Sequence, residues 1–298
     1  MTPKNAIRIK NLCHLYDTPS RRFLAVVDEL NIPMGSLTTL LGPSGSGKST
    51  VLSRIGLLLA LGNDVRSSVE TFELAERTAS GITIHDIADL LHQGRKGHSK
   101  IESLRRQLMG FFLQSGELIP TLTIKENVAM PLRLNGVSAR EADARAGELL
   151  GFLLDVAVRN IPDKLALRCS GGEYQRIALA RAVAHQPQIL LVDEPTSSLD
   201  TPNKHRVFEL MMKLVRDEDA TVVMISHDVS MARAYSDFIV NFDASPDGWG
   251  DRLATKFRDC DGFGQPVSFE MNVGGQWLTS NADFQIGVSE TEGKEHVA

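Results

Sequence analysis

Residues 36–50 read SLTTLLGPSGSGKST, and their order decides the fold. An apolar run, Ser36 to Leu41, is broken by a glycine-rich turn, and a Lys-Ser-Thr triplet opens a helical stretch. Gly42 to Thr50 satisfies the G-x-x-x-x-G-K-[ST] pattern, whose glycines let consecutive backbone N–H groups turn inward around a phosphate. In that pattern Lys48 pairs with the β- and γ-phosphates and Ser49 offers its hydroxyl to Mg²⁺. Gly42, Pro43, Ser44, Gly45, Ser46, Gly47 and Thr50 complete the loop. The required context is present: a buried strand before it, and a helix predicted from Gly47 to about Leu61.

Two further apolar runs, QILLVD (Gln188 to Asp193) and ATVVMIS (Ala220 to Ser226), also read as buried strands followed at once by polar residues. With helices predicted at Ala139–Leu150, Glu173–His185 and Lys204–Arg216, the alternation favours an α/β fold around a largely parallel sheet. Ligand sites of such folds lie at the strand ends. Asp193 ends one strand, where it suits an aspartate holding Mg²⁺ through its water shell, and Glu194 follows, placed to polarise an attacking water. His227 follows the next strand and could donate to a γ-phosphate from the same edge. Gln114 ends the run FFLQ; its amide could reach the metal and the water, or simply close a polar strand end.

A second glycine cluster lies far downstream. In RCSGGEYQRIALARAV (Arg168 to Val183), Ser170, Gly171 and Gly172 open an amphipathic helix. Two flexible glycines cost ordering entropy, yet exposed amides at a helix start form an anion site. No lysine accompanies them, so the anion's counter-charge must come from elsewhere.

Composition sets the outer bounds. Of 298 residues, 42% are hydrophobic and 23% charged, as in an ordinary soluble globular protein, and the net charge of -5 argues against a nucleic-acid partner. Three scattered cysteines, Cys13, Cys169 and Cys260, fit a reducing compartment. The N-terminus has no signal-peptide core, and the longest apolar run, IGLLLALG, is too short to span a bilayer. The chain therefore reads as cytoplasmic, with any membrane association made through a partner. Within about Gly62 to Leu108, HQGRKGHSK reads as a basic loop. Beyond Asn241 the chain is rich in Gly, Asp and aromatics; PVSFEMNVGGQWLTS can hold a hairpin, and SETEGKEHVA reads as a disordered end.

Taken in order, the phosphate loop, Gln114, CSGGE, ILLVDEP, SSLD and His227 closely resemble the nucleotide-binding subunits of ABC ATPases, over about Ala6 to Val240. The resemblance implies a RecA-like core, a small antiparallel β subdomain and a helical subdomain carrying the signature. It implies ATP and Mg²⁺ as cofactors, with Ser49, Gln114 and Asp193 at the metal and Glu194, His227 and Gln114 at the reacting end. It also implies a homodimer, or a pair with another ABC ATPase. There Ser170, Gly171 and Gly172 would bind the partner's γ-phosphate, Asp200 would couple the two sites, and Tyr16 would stack on adenine unless it is a core tyrosine.

LQSGELIPTLTIKENVAMPL and SGGEYQRIALARA are similar to the lipoprotein-release, macrolide-export and cell-division group. That likeness implies an integral-membrane permease with large extracytoplasmic domains, a periplasmic adaptor as a possible further partner, and a place on the cytoplasmic face of the inner membrane. A mechanotransmitter that moves no solute, such as an activator of a cell-wall hydrolase, and a soluble ABC ATPase of nucleic-acid metabolism are the alternatives. The departures are Cys169 for the usual Leu, Glu173 for Gln, an insertion within about 62–108, and the loss of the usual strand–turn–strand after His227. On this reading residues 1–240 are the ATPase domain and 241–298 an atypical extension.

Overall fold

The structure, a computed structural model, describes residues 5–18, 21–58, 66–113, 118–154, 163–195, 201–242, 267–273 and 276–281. Strands β1 (Asn5–Thr18) and β2 (Arg21–Pro33) run antiparallel, with Ile7 opposite Ile32 and Ile9 opposite Leu30. These four side chains are fully buried, because alternate residues of a strand share one face. β5 (Thr71–Thr78) pairs with the other side of β1, β6 (Gly81–Asp86) follows at the edge, and β4 (Arg66–Ser68) pairs with the far end of β1.

The second sheet contains β3 (Leu37–Leu41), β7 (Met109–Phe112), β8 (Ile189–Asp193), β9 (Thr221–Ile225) and β10 (Phe238–Phe242), parallel in the order β10-β3-β9-β8-β7. β3, β8 and β9 are buried along their whole length, as strands covered on both faces must be. Successive residues of β8 serve different cores. Leu190 and Val192 pack with α4 (Ile124–Leu134), α5 (Ala139–Leu154), α6 (Gly171–Val183) and α7 (Thr201–Asp217). Ile189 and Leu191 pack with the antiparallel sheet, α1 (Lys48–Ile55), α2 (Ile87–His92) and α3 (Gly94–Leu108). A short α8 (Val229–Tyr235) leads into β10. The expected α/β fold is present, with a parallel core sheet, an antiparallel β subdomain and a helical subdomain.

Four local expectations need correction. HQGRKGHSK is helical: His92 ends α2, and Gly94–Lys100 is the first half of α3. Gly97, Ile101, Leu104 and Leu108 form its buried stripe, and the basic residues that suggested a loop occupy the solvent face. Gly97 is needed there, since a Cβ would lie 1.8 Å from the Leu90 carbonyl oxygen. The helix after the phosphate loop stops at Ile55, where Leu57 turns to φ 56. A Cβ on Gly56 would meet Phe111 at 2.7 Å, so the helix ends in close packing.

Of the strand–turn–strand expected to be lost after His227, a strand is present as β10, whose Ile239 and Val240 are fully buried, while residues 243–266 lie outside the described residues. The hairpin expected in the tail forms β11 (Val267–Val273) and β12 (Gln276–Asn281), added antiparallel to β10. SETEGKEHVA lies outside the described residues. The fourth correction, at the start of α6, belongs to the site.

Candidate nucleotide site

β3, β9 and β8 lie side by side, with Leu40 opposite Ile225 and Ile225 opposite Asp193. The phosphate loop, the Asp193–Glu194 pair and His227 therefore leave the sheet at one edge. Gly42, Gly45 and Gly47 take φ values of 147, 82 and 94, a region costly for residues with a Cβ. At Gly42 there is no room either, because a Cβ would lie 2.3 Å from the Phe242 carbonyl oxygen. Pro43, Ser44 and Gly45 form an exposed rim, Ser46 is buried beneath them, and Thr50 is half-buried on α1.

Lys48 opens α1 and is only 5% exposed. Its Nζ donates to the carbonyls of Gly42 (2.8 Å) and Pro43 (2.7 Å) and to Ser46 Oγ (3.4 Å), so the ammonium sits inside the loop. Burial pulls its pKa below the ordinary lysine value, and the charges of Glu194 and Asp193 oppose that shift. Asp193 is buried and its carboxyl is pushed upward by that burial, against the hydrogen bond donated by the Ser49 hydroxyl. Glu194 adopts φ 49, a left-handed conformation costing on the order of 1 kcal/mol for a residue of this type. Its N–H donates to the Ile225 carbonyl (3.1 Å), and its Oε1 lies 2.7 Å from His227 Nε2.

These residues fit a triphosphate and a divalent cation on their own chemistry. The loop is a cradle that Cβ atoms would strain, its centre is a desolvated cation, and a hydroxyl and a carboxylate already meet where an oxygen-seeking metal would bind. Gln114 and Asp200 lie outside the described residues. Tyr16 is on β1 opposite Phe23, and its side chain lies outside them too.

The second glycine cluster is elsewhere, at the start of α6 in the helical layer. This helix begins at Gly171 rather than Glu173, and it is capped. Ser170 Oγ accepts from the Glu173 N–H (3.4 Å) while Glu173 Oε2 accepts from the Ser170 N–H (2.9 Å), a reciprocal capping box. Lys164 Nζ lies 2.9 Å from both Glu173 carboxylate oxygens, and Lys164 with the Ser170 amide holds that carboxyl down to about 2. The signal, S-x-x-E, was in the sequence. The box satisfies the first and fourth amides of the helix start and leaves those of Gly171 and Gly172 without an intrachain acceptor among the described residues. Ser170 and Gly171 are exposed, and a Cβ on Gly171 would meet nothing within 4 Å.

Sequence reasoning also missed a tie behind this start. Tyr174 accepts the Leu118 N–H at its hydroxyl (2.7 Å), and Asn127, fully buried, binds both backbone groups of Ile119. Neither residue type carries a motif that would have announced it.

A family model described as ABC transporter matches residues 27–197. The lipoprotein-releasing system ATP-binding protein LolD of Hyphomonas neptunium is 36% identical over 206 residues, 69% of this chain and 80% of that protein. An uncharacterized ABC transporter ATP-binding protein, MJ0796 of Methanocaldococcus jannaschii, is 34% identical over 233 residues, covering 76% and 89% of the two chains. The chain belongs to the ABC transporter family.

The dimeric structure of the MJ0796 cassette matches this ABC ATPase with a TM-score of 0.65 at 31% identity, over 80% of this chain and 94% of that one. A second dimeric MJ0796 structure, a post-hydrolysis state bound to ADP and Pi, matches with a TM-score of 0.64 at 30% identity, over 81% and 97%. As a member of this family the chain is an ATPase that binds ATP. In this ABC ATPase, His227 lies beyond the matched span and is nevertheless bound to Glu194 within it.

Proposed function

We propose that two copies of this chain close around two ATP molecules, and that the start of α6 in one copy completes the nucleotide site on the strand edge of the other. The observation that carries this reading is the pair of amides at Gly171 and Gly172. They are held in a capped, ordered helix start on an exposed surface and have no acceptor among the described residues of their own chain. A phosphate oxygen supplied from outside would satisfy them, favoured by the positive end of the helix. Lys164 at this start is paired with Glu173, so the phosphate's counter-charge would come from the Lys48 of the copy that holds the nucleotide.

On the strand edge, Lys48 and the amides of Gly42–Thr50 would hold the β- and γ-phosphates. Ser49 and Asp193, with Gln114, would hold Mg²⁺, which when bound neutralises phosphate charge. Glu194 would accept a hydrogen bond from the attacking water and so orient and polarise it. His227, 2.7 Å from Glu194, would fix that carboxylate and present a ring nitrogen toward the reacting end. Asp200 would join the two sites across the dimer, and Tyr16 would pack on the adenine.

Likeness to a lipoprotein-releasing ATP-binding protein supports a role as the ATP-driven subunit of an inner-membrane permease, bound at the cytoplasmic face. No helix among the described residues is long and apolar enough to cross a membrane, so a separate membrane subunit is part of this reading. We assign residues 1–240 to the ATPase domain, with the insertion at about 62–108, and 241–298 to an extension.

The test is Glu194→Gln in the full chain. Turnover should fall about 100-fold or more, ATP binding should persist, and an ATP-dependent dimer should accumulate. A variant that hydrolyses ATP at the parent rate would remove Glu194 from the role given to it.

A further inference from the structure

The chain just before the signature alternates sharply between core and solvent. Ala166 is fully buried, and its N–H donates to the Leu122 carbonyl (3.0 Å). Leu167 and Arg168 are exposed, Cys169 turns back against the helical core, and Ser170 and Gly171 are exposed again. Residues 166–168 form one 3₁₀ turn, closed by the Cys169 N–H on the Ala166 carbonyl (3.2 Å). A bridge between Thr123 and Leu165 braces its start. Leu167 is thus held outward by fixed backbone on both sides. At 75% it is the most exposed large apolar side chain among the described residues, and its neighbour Leu165 is 37% exposed.

A single exposed leucine on a surface needs no explanation. A leucine pinned outward four residues before the first of two amides open to an outside acceptor is a different matter. It lies on the exposed turn that leads directly into that helix start, which the proposed dimer would set against a second copy of the same chain. We propose that Leu167, with Leu165 beside it, is an apolar contact of the closed ATP dimer, covered by the partner copy only when both nucleotides are in place. This rests on the reading that Ser170–Gly172 meet the partner's nucleotide. The contact would make closure depend on apolar burial as well as on phosphate binding, and two-fold symmetry would use it twice.

The experiment measures ATP-dependent dimerisation of the full chain by analytical ultracentrifugation, in a Glu194→Gln background that retains the dimer. Burial of one leucine per copy predicts that Leu167→Ser raises the dimer dissociation constant about tenfold or more. Its thermal midpoint and the ATP affinity of the single chain should match the parent, since Leu167 packs against little within its own chain. Leu134→Ser, at a site 62% exposed on α4, is the control and should leave dimerisation unchanged.

If Leu167→Ser dimerises like the parent while Ser170→Arg in the same background blocks dimerisation, the signature reading stands and this inference is wrong. If Ser170→Arg still dimerises, the signature reading itself fails, and the role of Leu167 goes with it.

Discussion

The two glycine clusters of this chain solve opposite problems. At the ends of β3, β8 and β9 every principal polar group has a partner from the same chain: Lys48 in its loop, Ser49 on Asp193, His227 on Glu194. At the start of α6 Ser170, Glu173 and Lys164 hold one another, but the two glycine amides between them have no acceptor among the described residues. One region is a site built before its ligand arrives. The other, on the reading proposed above, is an ordered half-site that a second copy would complete. A capping box explains how both conditions coexist, because it orders the helix while using only two of the four amides at its start.

Disabling each region in turn should cost the isolated chain very different things. Lys48→Ala removes the buried cation from the loop, and ATP affinity of the single chain should fall about 100-fold or more, with turnover lost. Ser170→Arg should leave single-chain ATP affinity within about twofold, yet reduce turnover by about 100-fold, the scale of a lost phosphate-binding donor. Equilibrium binding of a fluorescent ATP analogue at protein concentrations too low for dimerisation, set beside steady-state turnover, separates the two. A loss of single-chain binding in Ser170→Arg equal to that in Lys48→Ala would show that the half-sites are not divided between chains.

Alanine at one glycine of each cluster gives a smaller and purely structural contrast. Gly42→Ala places a methyl 2.3 Å from the Phe242 carbonyl at φ 147, and backbone must move to admit it. A loss of about 3 kcal/mol in urea unfolding is expected. Gly171→Ala meets nothing within 4 Å in a helical conformation, so stability should hold or rise by up to about 1 kcal/mol. Its cost should appear only in ATP-driven dimerisation, where the added methyl stands in the way of close approach. Equal destabilisation by both substitutions would mean that the α6 start is packed more tightly than its exposed surface indicates.

How much of this was legible in the sequence depended on the range of the interaction. Strand–loop–helix order around Gly42–Thr50 is local, and it carried both the core sheet and the phosphate loop. Asp193, Glu194 and His227 were legible because parallel strands deliver their following residues to a common edge, so three separate runs converged without knowledge of any contact. The α3 error came from composition. Gly94, Gly97 and four basic residues outweighed a buried stripe at 97, 101, 104 and 108 that was equally present in the letters. The capping box was legible and passed over, because Gly-Gly drew attention from Ser170 and Glu173 on either side. The Glu194–His227 distance and the Tyr174–Leu118 bond were not legible, since each joins side chains or amides far apart in the chain through tertiary packing.

That last bond offers the mildest test, and it probes what holds the open half-site in place. Tyr174 lies on the first turn of α6, four residues after Ser170, and its hydroxyl takes up the amide of Leu118, a residue only 4% exposed. Leu118 and Ile119 lead into the capped start of α4, so the signature helix and this segment share one anchor. Tyr174→Phe keeps the ring against the helical core and removes the hydroxyl that accepts the Leu118 N–H (2.7 Å) and donates to the Leu118 carbonyl (3.5 Å). An unpaired buried amide should cost about 1 kcal/mol and speed hydrogen exchange at Leu118 by about fivefold, while Lys48 and its loop keep their ATP affinity. Turnover should fall by no more than about threefold, because the capping box still orders Gly171 and Gly172. Faster exchange at Leu118 with unchanged turnover would show that the box alone fixes the half-site; unchanged exchange would show that Leu118 is held by its burial and not by the phenol.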